Sequence, residues 1–554
     1  MATGAEWLAR AIASTGTTDV FFMDAVLRRT LIALEGVGVQ RVLGHSEKAV
    51  AYMADGYARV AGQPAFCFAQ SVGAANLAAG LQDPYLARSP VVALTGHKQI
   101  ALQYRNAYQE IAHAPLFAPV TKFNAEVDTA ANLPRLLRQA IRSAASGTPR
   151  PVHLDINGVQ GEIVETSSVE ETAEIGRAAM AMPPHRPVPP DQDIERAATA
   201  LREAARIAIV AGEGALASGA GPEILALAEA LAAPVATSLG ARAVIPTRHF
   251  LSAGVLGFYS APPANQIVHR ADLVVFVGCD TGDQVTDTWR TPALSTPVVQ
   301  IDIDPEELGR SYPNTLGLMG DPKATLAKLV TAVSRPQRDR GYAEWAARLV
   351  GEWRAAMAPH MASDETPTRV ERLCAEITAA LPEDGILVAD TGYSGIWTGT
   401  CIEFNGAGQS YLRAAGSLGW SFPAALGAKL AAPDRKVLCF SGDGAFYYHL
   451  PELETACRRG IATVTVINNN SGFGQSWPDL VKMQGATPGH PEHIVRFGPT
   501  DFAAVARAFG VQGIRVERPD ELAPALRRAL QMEEPVVVDV VTNIMPRAPE
   551  SWVA

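Results

Sequence analysis

Residues 441–474 read SGDGAFYYHLPELETACRRGIATVTVINNNSGFG. One aspartate stands between two glycines, and three asparagines close a β-branched run although asparagine is a poor strand residue. Residues 437–441 read as a strand that delivers Gly442-Asp443-Gly444 to its carboxyl end, the rim where open α/β sheets bind ligands. Glycines there admit a phosphate close to the backbone, and an aspartate beside a phosphate needs a cation between them. Mg²⁺ suits that place, because it takes carboxylate, amide and carbonyl oxygens and bridges to diphosphates. A helix near 453–458 and a parallel strand at 462–467 return the chain to the same rim. There the Asn470 amide oxygen and the Gly472 carbonyl join Asp443 as expected ligands. A lone GDG is compatible with a simple turn; GDG followed by asparagines at the end of the next strand is far more specific.

A second group lies in GHSEKAVAYMADGYARVAG (44–62), where Glu47 opens an alanine-rich helix. An isolated acid in a first helical turn serves the helix dipole and signals nothing more.

Both groups need sheet rims to hold them, and the chain is long enough to build several. Its 554 residues predict three or four domains, and 48% apolar with 19% charged residues is a normal globular mixture. A net charge of −10 without a Lys/Arg block argues against nucleic acid or an anionic membrane as partner. Six cysteines without a CxxC pair read as buried thiols rather than zinc ligands or disulfides. The N-terminal MATGAEWLARAIASTG reads as an amphipathic helix containing Glu6, not a signal peptide. No apolar run approaches the roughly 20 residues of a membrane span, so a cytoplasmic protein is expected.

Strand-like runs alternate with Ala/Leu-rich helical runs throughout, the pattern of parallel α/β domains. Residues 166–190 read as a surface linker, and 336–365 as a second linker with a charged helix. The division is 1–165, 190–335 and 366–554, each sized for a doubly wound parallel sheet. The first and third segments are alike in length and pattern, which is compatible with duplication. IVAGEGALASGAG (208–220) lacks G-x-G-x-x-G in the right place and reads as a tight strand-to-helix turn, with a phosphate loop as the alternative.

Taken together, GDG and the pair Asn469-Asn470 resemble the thiamine-diphosphate motif, and nearly the whole chain is similar in order to the acetohydroxyacid-synthase-like superfamily (acetolactate synthase, benzoylformate decarboxylase, benzaldehyde lyase). The resemblance implies a pyrimidine-binding, a central and a diphosphate-binding domain, with Gly442, Gly444 and Ala445 around the cofactor. Gly416-Ser417-Leu418-Gly419 matches the segment that grips the aminopyrimidine. By that match the Gly416 carbonyl accepts from the 4′-amino group, the Leu418 N–H reaches N3′, and the Leu418 side chain wedges between the rings. Tyr393 and Ser394 fall where the family contacts the diphosphate. Glu47 matches the glutamate that bonds pyrimidine N1′ and favours the imino tautomer, acting on cofactor held by another chain. A homodimer is then the smallest working unit, and a homotetramer is common. Gln109 matches an active-site glutamine, and Gln70 and Ser71 precede a loop near the reacting carbon. His45 is unassigned, and His97, in TGHKQ, is expected at the surface.

Three departures reshape the expectation. The family's GVPGG-type loop is replaced by Phe22-Met23-Asp24-Ala25-Val26, which offers Asp24 as an added acid or base. The DIPKDV lysine is absent from Asp155-Ile156-Asn157-Gly158-Val159. Asp280 and Gln284 stand at the arginine positions of VGARFDDRVTG, which makes FAD doubtful. The expected activity is cleavage or formation of a C–C bond next to a carbonyl of a small-molecule substrate, with 2-keto acid decarboxylation or carboligation as its commonest form. A lyase for 2-hydroxyketones or 2-hydroxyacyl thioesters, and a non-catalytic homologue kept for assembly, are the alternatives.

Overall fold

The computed structural model describes residues 2–333 and 340–553; the expected boundary at 335–336 lies outside the described residues. Three six-stranded sheets carry the chain, and every strand pair in them is parallel. The first runs, in space, Gln40–Leu43, Asp19–Phe22, Ala65–Gln70, Val91–His97, Val152–Asn157, Phe123–Val127. The third runs Ser410–Arg413, Ile386–Ala389, Val437–Gly442, Thr463–Asn469, Val536–Val541, Gln512–Val516. Numbered along the chain, both follow the order 2-1-3-4-6-5. The central sheet, Ser252–Val255, Val235–Thr237, Ile207–Ala211, Leu273–Val277, Val298–Asp302, Thr315–Met319, follows 3-2-1-4-5-6, the dinucleotide-fold order. The inner strands are apolar along their length because helices cover both faces.

In the first and third sheets the order reverses between the first and third strands of each domain. Ligands bind at such a switch point. It places 23–27 and 71–73 at one crevice, and 390–394 and 443–446 at another. In the central sheet the corresponding loops are tied shut, Gly212 N–H to the Val277 carbonyl and Gly214 N–H to the Gly278 carbonyl, each at 2.9 Å. The segment 208–220 is the tight turn, leading into the helix Glu213–Ser218.

One apolar core joins the first and third domains, with Tyr52, Met53, Trp420, Phe422 and Phe446 among its members. It forms where the helix Glu47–Ala61 lies on Ser421–Ala431. A Cβ on Gly56 would stand 2.0 Å from the Ala424 carbonyl oxygen, and one on Gly427 1.8 Å from that of Met53. The two helices therefore touch backbone to backbone, which no other residue permits.

Residues 166–190 are not wholly a surface linker: Ser168–Val169 pairs with Ala2–Thr3, and Val169 and Met180 are buried in the first domain's core. The N-terminal helix is Gly4–Ser14, closed by a capping box of Thr3 and Glu6. Among the described residues no helix is long and apolar enough to cross a membrane, and no cysteine is disulfide-bonded.

Candidate active site

Three adjacent strands of the third sheet end at one rim. The first leads into Thr391 and Gly392 and the helix Tyr393–Cys401, the second into Asp443–Phe446, the third into 470–474. Asp443 is buried; Oδ1 accepts the Gly444 N–H at 2.7 Å and Oδ2 the Gly472 N–H at 3.0 Å. Burial pushes its carboxyl up to about 6, outweighing those N–H groups and Arg496, which pull it down. Beside it the Asn470 Oδ1 is buried with no partner, while Arg496 donates to the Asn470 carbonyl at 3.0 Å. The Gly472 carbonyl accepts the Gly474 N–H at 3.1 Å and keeps a second lone pair. An under-compensated carboxylate, an orphaned amide oxygen and a carbonyl are hard oxygen donors, and they fit Mg²⁺. Ser394 Oγ would lie 3.5 Å from a Cβ on Gly442, and a Cβ on Gly474 would touch Asn470 Nδ2 and the Tyr393 ring. Tyr393 and Ser394 thus close the same cradle.

The asparagines differ from expectation. The strand is Thr463–Asn469, so Asn468 and Asn469 lie inside it rather than after it. Their side chains are satisfied there: Asn468 Oδ1 accepts the Thr542 hydroxyl, and Asn469 Nδ2 donates to Asp539 at 2.8 Å and to the Thr500 carbonyl at 2.9 Å.

The segment 415–421 is held by two buried acids. Asp83, from the first-domain helix Gly73–Leu86, accepts the N–H groups of Ala415, Gly416 and Ser417 at 3.0, 3.1 and 2.9 Å. Asp390 accepts those of Gly419 and Ser421 at 3.1 and 2.9 Å. Gly416 is exposed and Leu418 half-buried. Among the described residues neither the Gly416 carbonyl nor the Leu418 N–H has a partner, so the turn presents one acceptor and one donor outward.

In the first domain Glu47 is half-buried, and its Oε2 accepts from Asn76 Nδ2 at 2.8 Å. A Cβ on Gly73 would lie 2.4 Å from Glu47 Oε1, so only glycine leaves the carboxylate its place. Gln70 Nε2 donates to Gln109 Oε1, and the Ser71 hydroxyl donates to the Gln109 carbonyl. Gln109 adopts φ +62°, a strained left-handed conformation for a non-glycine residue. Asp24 sits on the same rim but pairs with Arg28 at 3.0 Å, with no hydrogen bond to Gln70 or Gln109. The Ala25 N–H and Arg28 hold its carboxyl below the usual range, which favours an ionised anion over a proton donor. His45 Nε2 meets Glu454 at 2.8 Å. His97 is a correction: it is 5% exposed, in a polar cluster with Thr95, His113 and Asp155. Its side chain shares a strand face with Thr95, which turns it inward.

Two groups therefore form within the chain, one around Glu47, Gln70 and Gln109, the other from Tyr393 to Gly472. Among the described residues no hydrogen bond joins Glu47, Gln70 or Gln109 to the second group. Asp83, Asp390 and Asn76 escaped the sequence reading; an acid in an apolar helix, GLQDPYL, and one at a strand end, VADTG, were the available signals.

Residues 2–116, 194–329 and 390–540 match the family models for the N-terminal TPP binding domain, the central domain and the C-terminal TPP binding domain of thiamine pyrophosphate enzymes. The chain is 31% identical to a probable acetolactate synthase large subunit of Methanocaldococcus jannaschii, over 98% of this chain and 92% of that protein. The chain belongs to the thiamine pyrophosphate enzyme family. Within this family it is also 32% identical to a probable 2-ketoarginine decarboxylase of Pseudomonas aeruginosa, over 95% and 91% of the two chains. It is 30% identical to an acetolactate synthase large subunit of Corynebacterium glutamicum, over 98% and 87%. The matched N- and C-terminal models are the thiamine-diphosphate-binding ones, and they contain Glu47 and the 442–472 cradle respectively. In the central domain of this family member, Asp280 pairs with Arg88 at 3.0 Å and Gln284 accepts from Arg413 at 2.7 Å.

Proposed function

We propose that the chain is a thiamine-diphosphate- and Mg²⁺-dependent enzyme that breaks or makes a C–C bond next to a carbonyl, in the form of 2-keto acid decarboxylation or carboligation. The observation that carries this reading is Glu47, a half-buried carboxylate bonded to the Asn76 amide and adjoining the loop of Gln70. Bound thiamine diphosphate would supply an electron sink and a ring nitrogen able to share a proton. Asp443, Asn470 and the Gly472 carbonyl would hold Mg²⁺. Gly442, Gly444, Ala445, Tyr393 and Ser394 would cradle the diphosphate where helices begin. The Gly416 carbonyl and Leu418 N–H would orient the pyrimidine, and Glu47 would hold the proton at the ring nitrogen. Gln70 and Gln109 would meet the carbonyl substrate, with Asp24 at the pocket edge. The names of the relatives, acetolactate synthase and 2-ketoarginine decarboxylase, favour 2-keto acids.

With no hydrogen bond joining the two groups within one chain, the reading has Glu47 of one chain meeting the cradle of another, in a homodimer or homotetramer. Tyr104 is 95% and Tyr108 80% exposed beside Gln109, apolar surface that such a partner would cover. Asp280 and Glu307 are taken up in ion pairs with Arg88 at 3.0 and 3.4 Å, which disfavours FAD there. A cytoplasmic location completes the reading. The test is incubation of the ThDP/Mg²⁺ holoenzyme with pooled 2-keto acids, aldehydes and acyloins, with products read by mass spectrometry. Release of CO₂ or a ligated product from a 2-keto acid is expected. Acyloin cleavage without 2-keto acid turnover would replace the reading with a lyase, and no C–C change would remove it.

A further inference from the structure

Behind the Gln70–Gln109 pair lies a buried polar cluster that no step above uses. It comprises Thr95 and His97 from one strand, His153 and Asp155 from the next, and His113 from the helix His113–Phe117. His113 is 3% exposed and Asp155 2%. The proton positions follow from the partners. His113 Nε2 stands 3.0 Å from the Ser71 carbonyl, which only accepts, so this nitrogen carries a proton. His113 Nδ1 stands 3.0 Å from Asp155 Oδ1. Burial pushes the Asp155 carboxyl up, but His113 and His97 outweigh it and hold it well below the usual range, so this oxygen also only accepts. The ring is therefore held from both sides, by the Ser71 carbonyl at Nε2 and by Asp155 at Nδ1.

The neighbours are fixed in turn. Asn124 Nδ2 donates to the Ala114 carbonyl, which turns Asn124 Oδ1 toward His153 Nδ1 at 2.8 Å. Burial pulls His153 down to about 3, and its Nε2 stands 2.7 Å from the Thr95 hydroxyl oxygen. His97 Nδ1 stands 3.4 Å from Asp155 Oδ1 without hydrogen-bond alignment, and its Nε2 has no partner. The Thr95 hydroxyl donates to Asp155 Oδ1 at 2.8 Å and lies 3.3 Å from His113 Nδ1, filling the space a metal ion would need between these ligands.

We propose that the His113–Asp155 pair is a positioning dyad for the substrate pocket. His113 fixes the Ser71 carbonyl, the Ser71 hydroxyl fixes the carbonyl of the strained Gln109, and Gln70 Nε2 occupies Gln109 Oε1. The Gln109 amide is thereby turned with its Nε2 away from Gln70: one N–H meets the Tyr108 hydroxyl at 3.4 Å, and the other is left to donate to an oxygen of a carbonyl or carboxylate. The inference rests on the reading that Gln109 meets substrate. His113 acts through it without touching the reacting atoms.

A double-mutant cycle on the ThDP/Mg²⁺ holoenzyme tests this, with His113→Gln, Asp155→Asn, Gln109→Ala and the His113→Gln/Gln109→Ala pair. Gln109→Ala and His113→Gln should each lower kcat/KM roughly tenfold to a hundredfold, the cost of an ångström-scale misplacement. The double variant should be no worse than Gln109→Ala alone, because one acts through the other. ThDP affinity should stay at the parent value throughout. Additive losses, or a fall in ThDP affinity parallel to activity in His113→Gln, would reduce the pair to a structural role and overturn the proposal. So would parent-like kcat/KM in both His113→Gln and Asp155→Asn while Gln109→Ala is impaired. An unimpaired Gln109→Ala would instead remove the reading on which the proposal rests. Should His113→Gln fail to fold, Asp155→Asn in the same cycle answers the question.

Discussion

The carboxylate of Asp83 accepts the backbone N–H of Gly416 at 3.1 Å, across the seam between the first and third domains. The same carboxylate takes two further N–H groups, so one side chain shapes the turn that presents the Gly416 carbonyl and the Leu418 N–H. Asp83→Ala leaves three donors and the Arg59 guanidinium without this partner. The expected outcome is a loss of about 3 kcal/mol or more in stability with weakened ThDP binding, measured by urea unfolding and cofactor titration. Parent-like cofactor affinity would show that the turn does not depend on Asp83.

Glu47→Gln should bind ThDP normally and lose turnover by about a hundredfold or more, the span of a positioned acid–base group. Gly73→Ala provides an independent check, because its new methyl occupies the place of Glu47 Oε1. The fold should survive, since a flexible side chain can move aside, and activity should fall with that movement. Undiminished turnover in both variants would exclude Glu47 from the chemistry.

Asp443→Asn and Asn470→Ala should each weaken Mg²⁺-dependent ThDP binding by about tenfold or more, equivalent to about 1.4 kcal/mol. Chelation with EDTA should do the same to the parent protein, with restoration on adding Mg²⁺. Cofactor titrations at fixed Mg²⁺ decide this, and equal affinities in parent and variants would move the metal elsewhere.

Burial pushes Asp302 up to about 6, against the Asp304 N–H and Arg88, which pull it down. Between the unfolded value near 4 and the folded value near 6 the native state holds the extra proton. Stability contributed by this site therefore falls as pH rises through that window and stays low above it. Asp302→Asn, which keeps the acceptor for the Asp304 N–H, should match the parent near pH 4 and exceed it by on the order of 2 kcal/mol at pH 7. Unfolding curves of the two proteins across pH give the comparison. A gap that does not widen with pH would place the charge in solvent.

The parts of the site legible in the sequence are those whose partners lie close along the chain. Gly442-Asp443-Gly444 and Asn470 are under thirty residues apart, with a helix and a strand between them, and Glu47 opens a helix with a distinctive pattern. Asp83 could not be read, because its partner Gly416 is 333 residues away. His97 was misplaced for the same reason: strand alternation gives it a face but not the Asp155 that faces it. Asn468 and Asn469 looked like loop residues because the Thr542 and Asp539 that satisfy them stand on or just past a strand added last. Alternating strands and helices announced three parallel sheets, whereas the spatial order of strands depends on pairings that no local pattern records.

The contact at Gly56 and Gly427 has a mechanical meaning. With two helices resting backbone on backbone, there is no side-chain cushion to compress and no slack to slide through. The first and third domains of one chain move as a single block. Any rearrangement beside the two groups then falls to segments outside that block: residues 98–112 with their exposed tyrosines, and the helix Trp477–Gln484, none of whose residues is buried.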